Sequence, residues 1–127
     1  MAKRILIVDD DPDLVEAVSM LLEAQGMEPL AAYGGIEGLE KARTENPDLI
    51  VLDVMMPDKD GYAVAKELSK DKTLSEIPVI MLTAVVDHIG HTHYTHASGK
   101  DLVADDYFQK PVDPEALVRR ITELVGS

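Results

Sequence analysis

A doubly wound α/β domain built on a parallel sheet is the fold class this sequence predicts, and three observations carry the prediction. The runs Ile5-Leu6-Ile7-Val8, Leu49-Ile50-Val51-Leu52 and Val79-Ile80-Met81-Leu82 are short and wholly apolar, as strands covered on both faces are. Amphipathic stripes with apolar residues at i, i+1, i+4, i+7 and i+8 mark helices. Runs and stripes alternate along the chain, which is the order of repeated βα units.

Taken in order, Ile5-Leu6-Ile7-Val8 forms the first strand, and the first helix follows through Leu14, Val15, Val18, Leu21 and Leu22. Asp11 stands at its N-cap, Pro12 at its first helical position, and Gly26 just past its end. Asp13 is a first-turn carboxylate favoured by the helix dipole. A weaker strand over residues 27–32 contains Pro29, which places it at a sheet edge. A helix over 36–44 leads to the strand Leu49-Ile50-Val51-Leu52. The turn residues Pro57, Asp58, Asp60 and Gly61 precede a helix over 62–69. After the strand Val79-Ile80-Met81-Leu82 comes a polar segment, 87–100, where a fourth helix belongs. A strand over 106–109 precedes a last helix, capped by Asp113 and Pro114 and striped by Leu117, Val118, Ile121, Leu124 and Val125.

The 127 residues suit one domain, 1–127, with no linker or repeat. The absence of cysteine excludes a disulfide, a thiolate metal site and a cysteine nucleophile. With 24 acidic and 12 basic residues the net charge is -12, which argues against direct binding to nucleic acid or to an anionic membrane. No apolar run approaches the roughly 20 residues of a bilayer crossing. A reducing compartment, the cytoplasm, is the expected location.

Ligands in an open parallel sheet gather at the carboxyl ends of the strands. There the sequence places Asp9-Asp10-Asp11, Asp53, Thr83 and Lys110-Pro111. If the first and third strands are neighbours, Asp9, Asp10 and Asp53 converge, and like charges so close call for a counter-charge. Oxygen-only ligands suit a hard cation, so Mg²⁺ is expected, with Mn²⁺ as a substitute; Lys110 is the other source of positive charge. A carboxylate beside a cation, an ammonium and a hydroxyl has what phosphoryl transfer to an aspartate requires.

These residues resemble the receiver domains of two-component response regulators. The resemblance rests on Ile5-Leu6-Ile7-Val8-Asp9-Asp10-Asp11, Asp53-Val54-Met55-Met56-Pro57-Asp58-Lys59-Asp60-Gly61, Met81-Leu82-Thr83-Ala84 and Ala104-Asp105-Asp106-Tyr107-Phe108-Gln109-Lys110-Pro111, four motifs in sequence order. It implies a flavodoxin-like sheet in the order 2-1-3-4-5 with five helices. It also implies that Asp53 is the phosphoacceptor, that Asp9, Asp10 and Asp53 with the Met55 backbone carbonyl hold the metal, and that Thr83, Ala84 and Lys110 surround the phosphoryl group. Tyr107 would be a switch aromatic coupled to Thr83, and the Lys110-Pro111 bond is a cis candidate. The implied partners are a sensor histidine kinase or phosphotransfer protein, a downstream effector protein or domain, and a homodimer formed on phosphorylation. Such a bacterial module is a switch rather than an ordinary enzyme, its surface changing around the fourth helix, fifth strand and fifth helix. The apolar Met55 and Val85, at positions that govern water access, imply slow self-dephosphorylation.

Lys59, Val103 and Val112 depart from the common pattern, and so does the length of 87–100. That segment holds His88, His91, His93 and His96, which suit a second metal site by residue type, although the glycines and threonines among them are poor helix formers. They are expected to lie on a polar surface. A phosphatase that works through an aspartate nucleophile needs a second acid two residues on, where this chain has Met55. A flavin carrier needs a phosphate-binding loop where this chain has three aspartates.

Overall fold

The computed structural model describes residues 2–83 and 104–126. Five strands, β1 (Arg4–Val8), β2 (Glu28–Ala32), β3 (Leu49–Asp53), β4 (Val79–Thr83) and β5 (Asp106–Gln109), form one parallel sheet in the order β2-β1-β3-β4-β5. Four helices are present among the described residues: α1 (Pro12–Ala24), α2 (Gly35–Glu45), α3 (Gly61–Ser69) and a C-terminal helix (Pro114–Val125), with a 3-10 turn at Leu74–Glu76. The fourth helix expected within 87–100 lies outside the described residues, as do Ala84, Val85, Val103 and all four histidines.

The apolar strands divide their side chains between two layers because successive residues of a strand face opposite ways. Leu6, Val8, Ile50, Leu52, Val79 and Met81 face α2 and α3, whose Leu39, Ala42, Val64, Ala65 and Leu68 complete that core. Ile5, Ile7, Leu49, Val51, Ile80 and Leu82 pack against α1 and the C-terminal helix through Val15, Val18, Leu22, Leu117, Val118 and Ile121. Burying each large apolar side chain contributes roughly 1.5–3 kcal/mol before the entropy of ordering is subtracted. The strand containing Pro29 is an edge, as expected, and β5 is the other edge.

The helix ends follow their local chemistry. Asp11 Oδ1 accepts from the Asp13 N–H at 3.0 Å, and Asp113 Oδ1 accepts from the Glu115 N–H at 3.1 Å, with proline opening both helices. Asp60 caps α3 through the Ala63 N–H at 2.9 Å. Gly61, immediately after it, allows a close approach: a Cβ there would lie 2.3 Å from the Asp53 carbonyl oxygen. Its N–H donates to the Val54 carbonyl at 2.8 Å, pressing the start of α3 onto the end of β3.

Candidate functional site

Strand register builds the acidic pocket. Val8 pairs with Leu52 across β1 and β3, so the chain places Asp9 and Asp53, the next residue of each, side by side at the sheet's carboxyl edge. The Asp9 N–H donates to the Ala32 carbonyl at 3.0 Å and the Val54 N–H to the Leu82 carbonyl at 3.0 Å, holding both strand ends. Asp9 and Asp53 are 0% and 1% exposed, whereas Asp10 is open to solvent. One carboxylate oxygen from each of the three can lie within 4.8 Å of the others.

Lys110 reaches the same point from β5, its backbone N–H donating to the Thr83 carbonyl at 2.7 Å. Its Nζ lies 3.1 Å from Asp9 Oδ2 and 3.3 Å from Asp53 Oδ1. Asp53 Oδ1 also accepts from the Met55 N–H at 3.3 Å, and Asp9 Oδ1 from the Asp11 N–H at 2.9 Å. The Lys110–Pro111 bond is cis.

Burial, then the Asp9 carboxylate, push the Asp53 carboxyl up to about 6, against Lys110 and the Met55 N–H, which favour the ionised form. For Lys110, burial disfavours the charged ammonium, but Asp9 and Asp53 outweigh it and raise its pKa above the ordinary value. One buried oxygen, Asp9 Oδ2, still has no hydrogen bond of good geometry; its ion pair with Lys110 is its sole charge partner among the described residues. A buried carboxylate oxygen left in that state is costly. An oxygen-only donor set with such an atom therefore fits a hard divalent cation.

Thr83 Oγ1 sits at the end of β4 and donates to the Phe108 carbonyl over 3.4 Å, a long and weak bond. Tyr107, opposite Met81 across β4 and β5, packs against the α2–α3 core, and burial raises its phenol pKa. Met55 stands at the pocket mouth and is 64% exposed. Lys59, a departure from the family pattern, pairs with Glu67 at 2.6 Å, and Val112 packs against the α1 side of the core.

Sequence reasoning missed Asp58. Read as a turn residue, it places both carboxylate oxygens on the first N–H groups of α2. The single sequence signal for this is a lack: α2 opens on Gly34-Gly35, which have no side chain to cap with.

A family model described as the response regulator receiver domain matches residues 5–122. The alkaline phosphatase synthesis transcriptional regulatory protein PhoP of Bacillus subtilis is 40% identical over 125 residues, which are 98% of this chain and 49% of that protein. Protein PilH of Pseudomonas aeruginosa is 37% identical over 123 residues, covering 97% of this chain and 98% of PilH. The chain thus spans about half of PhoP and nearly all of PilH. A solved receiver domain, that of the Francisella response regulator 1452, superposes with a TM-score of 0.82 at 32% identity, covering 98% of this chain and 97% of that one.

Proposed function

This chain belongs to the response regulator receiver domains, the phosphoacceptor modules of two-component signalling, and on that premise we propose that Asp53 is the residue that takes the phosphoryl group. The observation that carries the reading is the buried Asp53 carboxylate held between Asp9 and Lys110 at the end of β3. Lys110 and the Met55 N–H both address Oδ1, which leaves Oδ2 to attack phosphorus. With its pKa at about 6, Asp53 is mostly ionised at neutral pH and so is a competent nucleophile. The new P–O bond forms as the P–N bond of a partner's phosphohistidine breaks, and the departing imidazole takes up a proton. Lys110 and the Thr83 hydroxyl then donate to phosphoryl oxygens.

Asp9, Asp10 and Asp53, with the Met55 carbonyl, would hold Mg²⁺ or, in its place, Mn²⁺. When bound, the ion supplies positive charge that offsets the crowded carboxylates and the phosphoryl oxygens. Thr83 gives up only a weak bond to Phe108 in turning to the phosphoryl group. Phe108 follows Tyr107 on β5, so that exchange reaches the surface near β5 and the C-terminal helix, where an effector or a second copy docks. The chain acts as a switch that assists its own phosphorylation and slow dephosphorylation, in a bacterial cytoplasm, with a sensor kinase or phosphotransfer protein as donor. No helix among the described residues is long and apolar enough to cross a membrane.

Intact-mass measurement after incubation with acetyl phosphate and Mg²⁺ tests the reading. One phosphoryl group is gained by the wild type, and none without the ion or in Asp53→Asn. Labelling that survives in Asp53→Asn overturns the assignment.

A further inference from the structure

The N-terminus of α2 is capped from another part of the chain. Gly34 and Gly35 offer no side-chain acceptor, and the first N–H groups of a helix otherwise go unsatisfied. Asp58, 23 residues beyond Gly35, supplies the acceptors: Oδ1 takes the Gly35 N–H at 3.0 Å and Oδ2 takes the Ile36 N–H at 3.1 Å. Oδ1 also accepts the Lys59 N–H at 2.9 Å, so the carboxylate is fastened to helix and loop together. A negative charge in this place is favoured by the helix dipole. The N–H groups of Ile36 and Gly35 hold the Asp58 carboxyl below the usual carboxylate range, which keeps it charged.

No slack exists between the two parts. A Cβ on Gly34 would lie 2.9 Å from Asp58 Oδ2, and one on Gly35 would lie 2.4 Å from the Lys59 carbonyl oxygen. Glu67 of α3 adds a second tie, meeting the Lys59 ammonium at 2.6 Å and the Arg43 guanidinium of α2 at 3.6 Å. The loop held in this way is the one that leaves β3 at Asp53 and carries Met55 at the pocket mouth. Met56, buried in the core, fixes its middle, and the Val54–Gly61 hydrogen bond closes its base. Its tip is fixed by Asp58.

We propose that Asp58 is a positioning residue for the phosphoacceptor pocket, its carboxylate clamping the β3–α3 loop to α2 in the conformation that binds the divalent ion. The inference rests on the metal-dependent pocket proposed above. Coupling between two sites is reciprocal, so an ion that orders the Met55 end of the loop also tightens the cap on α2.

Titration with Mg²⁺ alone, followed by calorimetry and by amide hydrogen exchange at Gly35 and Ile36, tests this on three proteins. In the wild type, Mg²⁺ slows exchange at both amides. Asp58→Ala binds Mg²⁺ about fivefold more weakly, the size of a typical lost N-cap, and loses that slowing. Glu40→Gly is the control: on the exposed face of α2 it weakens the helix about as much without touching the loop, and it binds Mg²⁺ as the wild type does. Wild-type affinity in Asp58→Ala, or an equal loss in Glu40→Gly, overturns the inference and leaves the pocket standing. Failure of the wild type to bind Mg²⁺ overturns both.

Discussion

Asp9 and Asp53 carry the electrostatic strain of the pocket, and Asp10 does not share it equally, because it is exposed while they are 0% and 1% exposed. The convergence of the three was legible from strand ends alone; which of them is buried depends on packing that no local pattern encodes. The folded-state pKa of Asp53, about 6, lies above the ordinary carboxylate value, so the folded protein holds that proton more tightly than the unfolded chain. Without metal, Asp53 therefore destabilises the fold fully above pH 6, and the penalty fades as pH falls from 6 toward 4. A shift of this size corresponds to on the order of 2–3 kcal/mol. Asp58 and Glu67 work in the opposite sense: held below their ordinary values, they stabilise above the unfolded pKa and lose that contribution only in stronger acid. Urea denaturation in chelator should thus find the wild type more stable at pH 5.5 than at pH 7.5, about the values that bracket the Asp53 pKa. Asp53→Asn should raise stability at the higher pH and flatten the difference. A wild type that gains stability steadily from the lower to the higher pH contradicts the burial assigned to Asp53.

Caps decide where the helices begin, and their legibility follows sequence distance only in part: Asp60, directly before α3, reads as a turn residue in the sequence although it caps that helix. Asp11 and Asp113 cap the helices they directly precede, and both were readable as such. The cap of α2 comes from Asp58, across 23 residues, and only the fold brings it there. The β3–α3 junction depends as closely on Gly61. Alanine has the higher helix propensity, worth about 1 kcal/mol in an exposed helix interior. At Gly61, however, its Cβ would meet the Asp53 carbonyl oxygen at 2.3 Å and Val54 Cα at 2.8 Å, both backbone atoms at the end of the strand that carries the proposed phosphoacceptor. Overpacking against backbone outweighs propensity, so Gly61→Ala should lose about 2 kcal/mol of stability in a denaturant titration. It should also slow phosphorylation by acetyl phosphate, since α3 can retreat only by moving Asp53. A stable variant with wild-type labelling would show that the junction has slack.

At the scale of the molecule, the alternation of elements and the two-faced burial of the strands followed from periodicity, since parallel strands covered on both sides leave continuous apolar runs. The strand order did not: nothing in an apolar run names its neighbour, and the observed order 2-1-3-4-5 is implied in the sequence only by the family resemblance. Charge acts at this scale too. A chain of net charge -12 repels itself, and any added salt relieves part of that repulsion. Stabilisation by Mg²⁺ would therefore have two sources, general screening and the proposed occupation of the pocket, which respond differently to composition and mutation. Screening acts on exposed charges and is reproduced by NaCl at equal ionic strength. Occupation engages Asp9 and Asp53, which are buried from that screening, and follows linkage: at ten times its dissociation constant the ion should add roughly 1.4 kcal/mol. Asp10, exposed at the mouth, contributes little to the crowding but supplies a third carboxylate. Asp10→Ala should accordingly leave metal-free stability near the wild-type value while losing most of the Mg²⁺-specific gain. Chemical denaturation of both proteins in Mg²⁺ and in matched NaCl separates the two sources. If matched NaCl stabilises the wild type as much as Mg²⁺ does, or if Asp10→Ala keeps the full gain, the three aspartates are not a metal site.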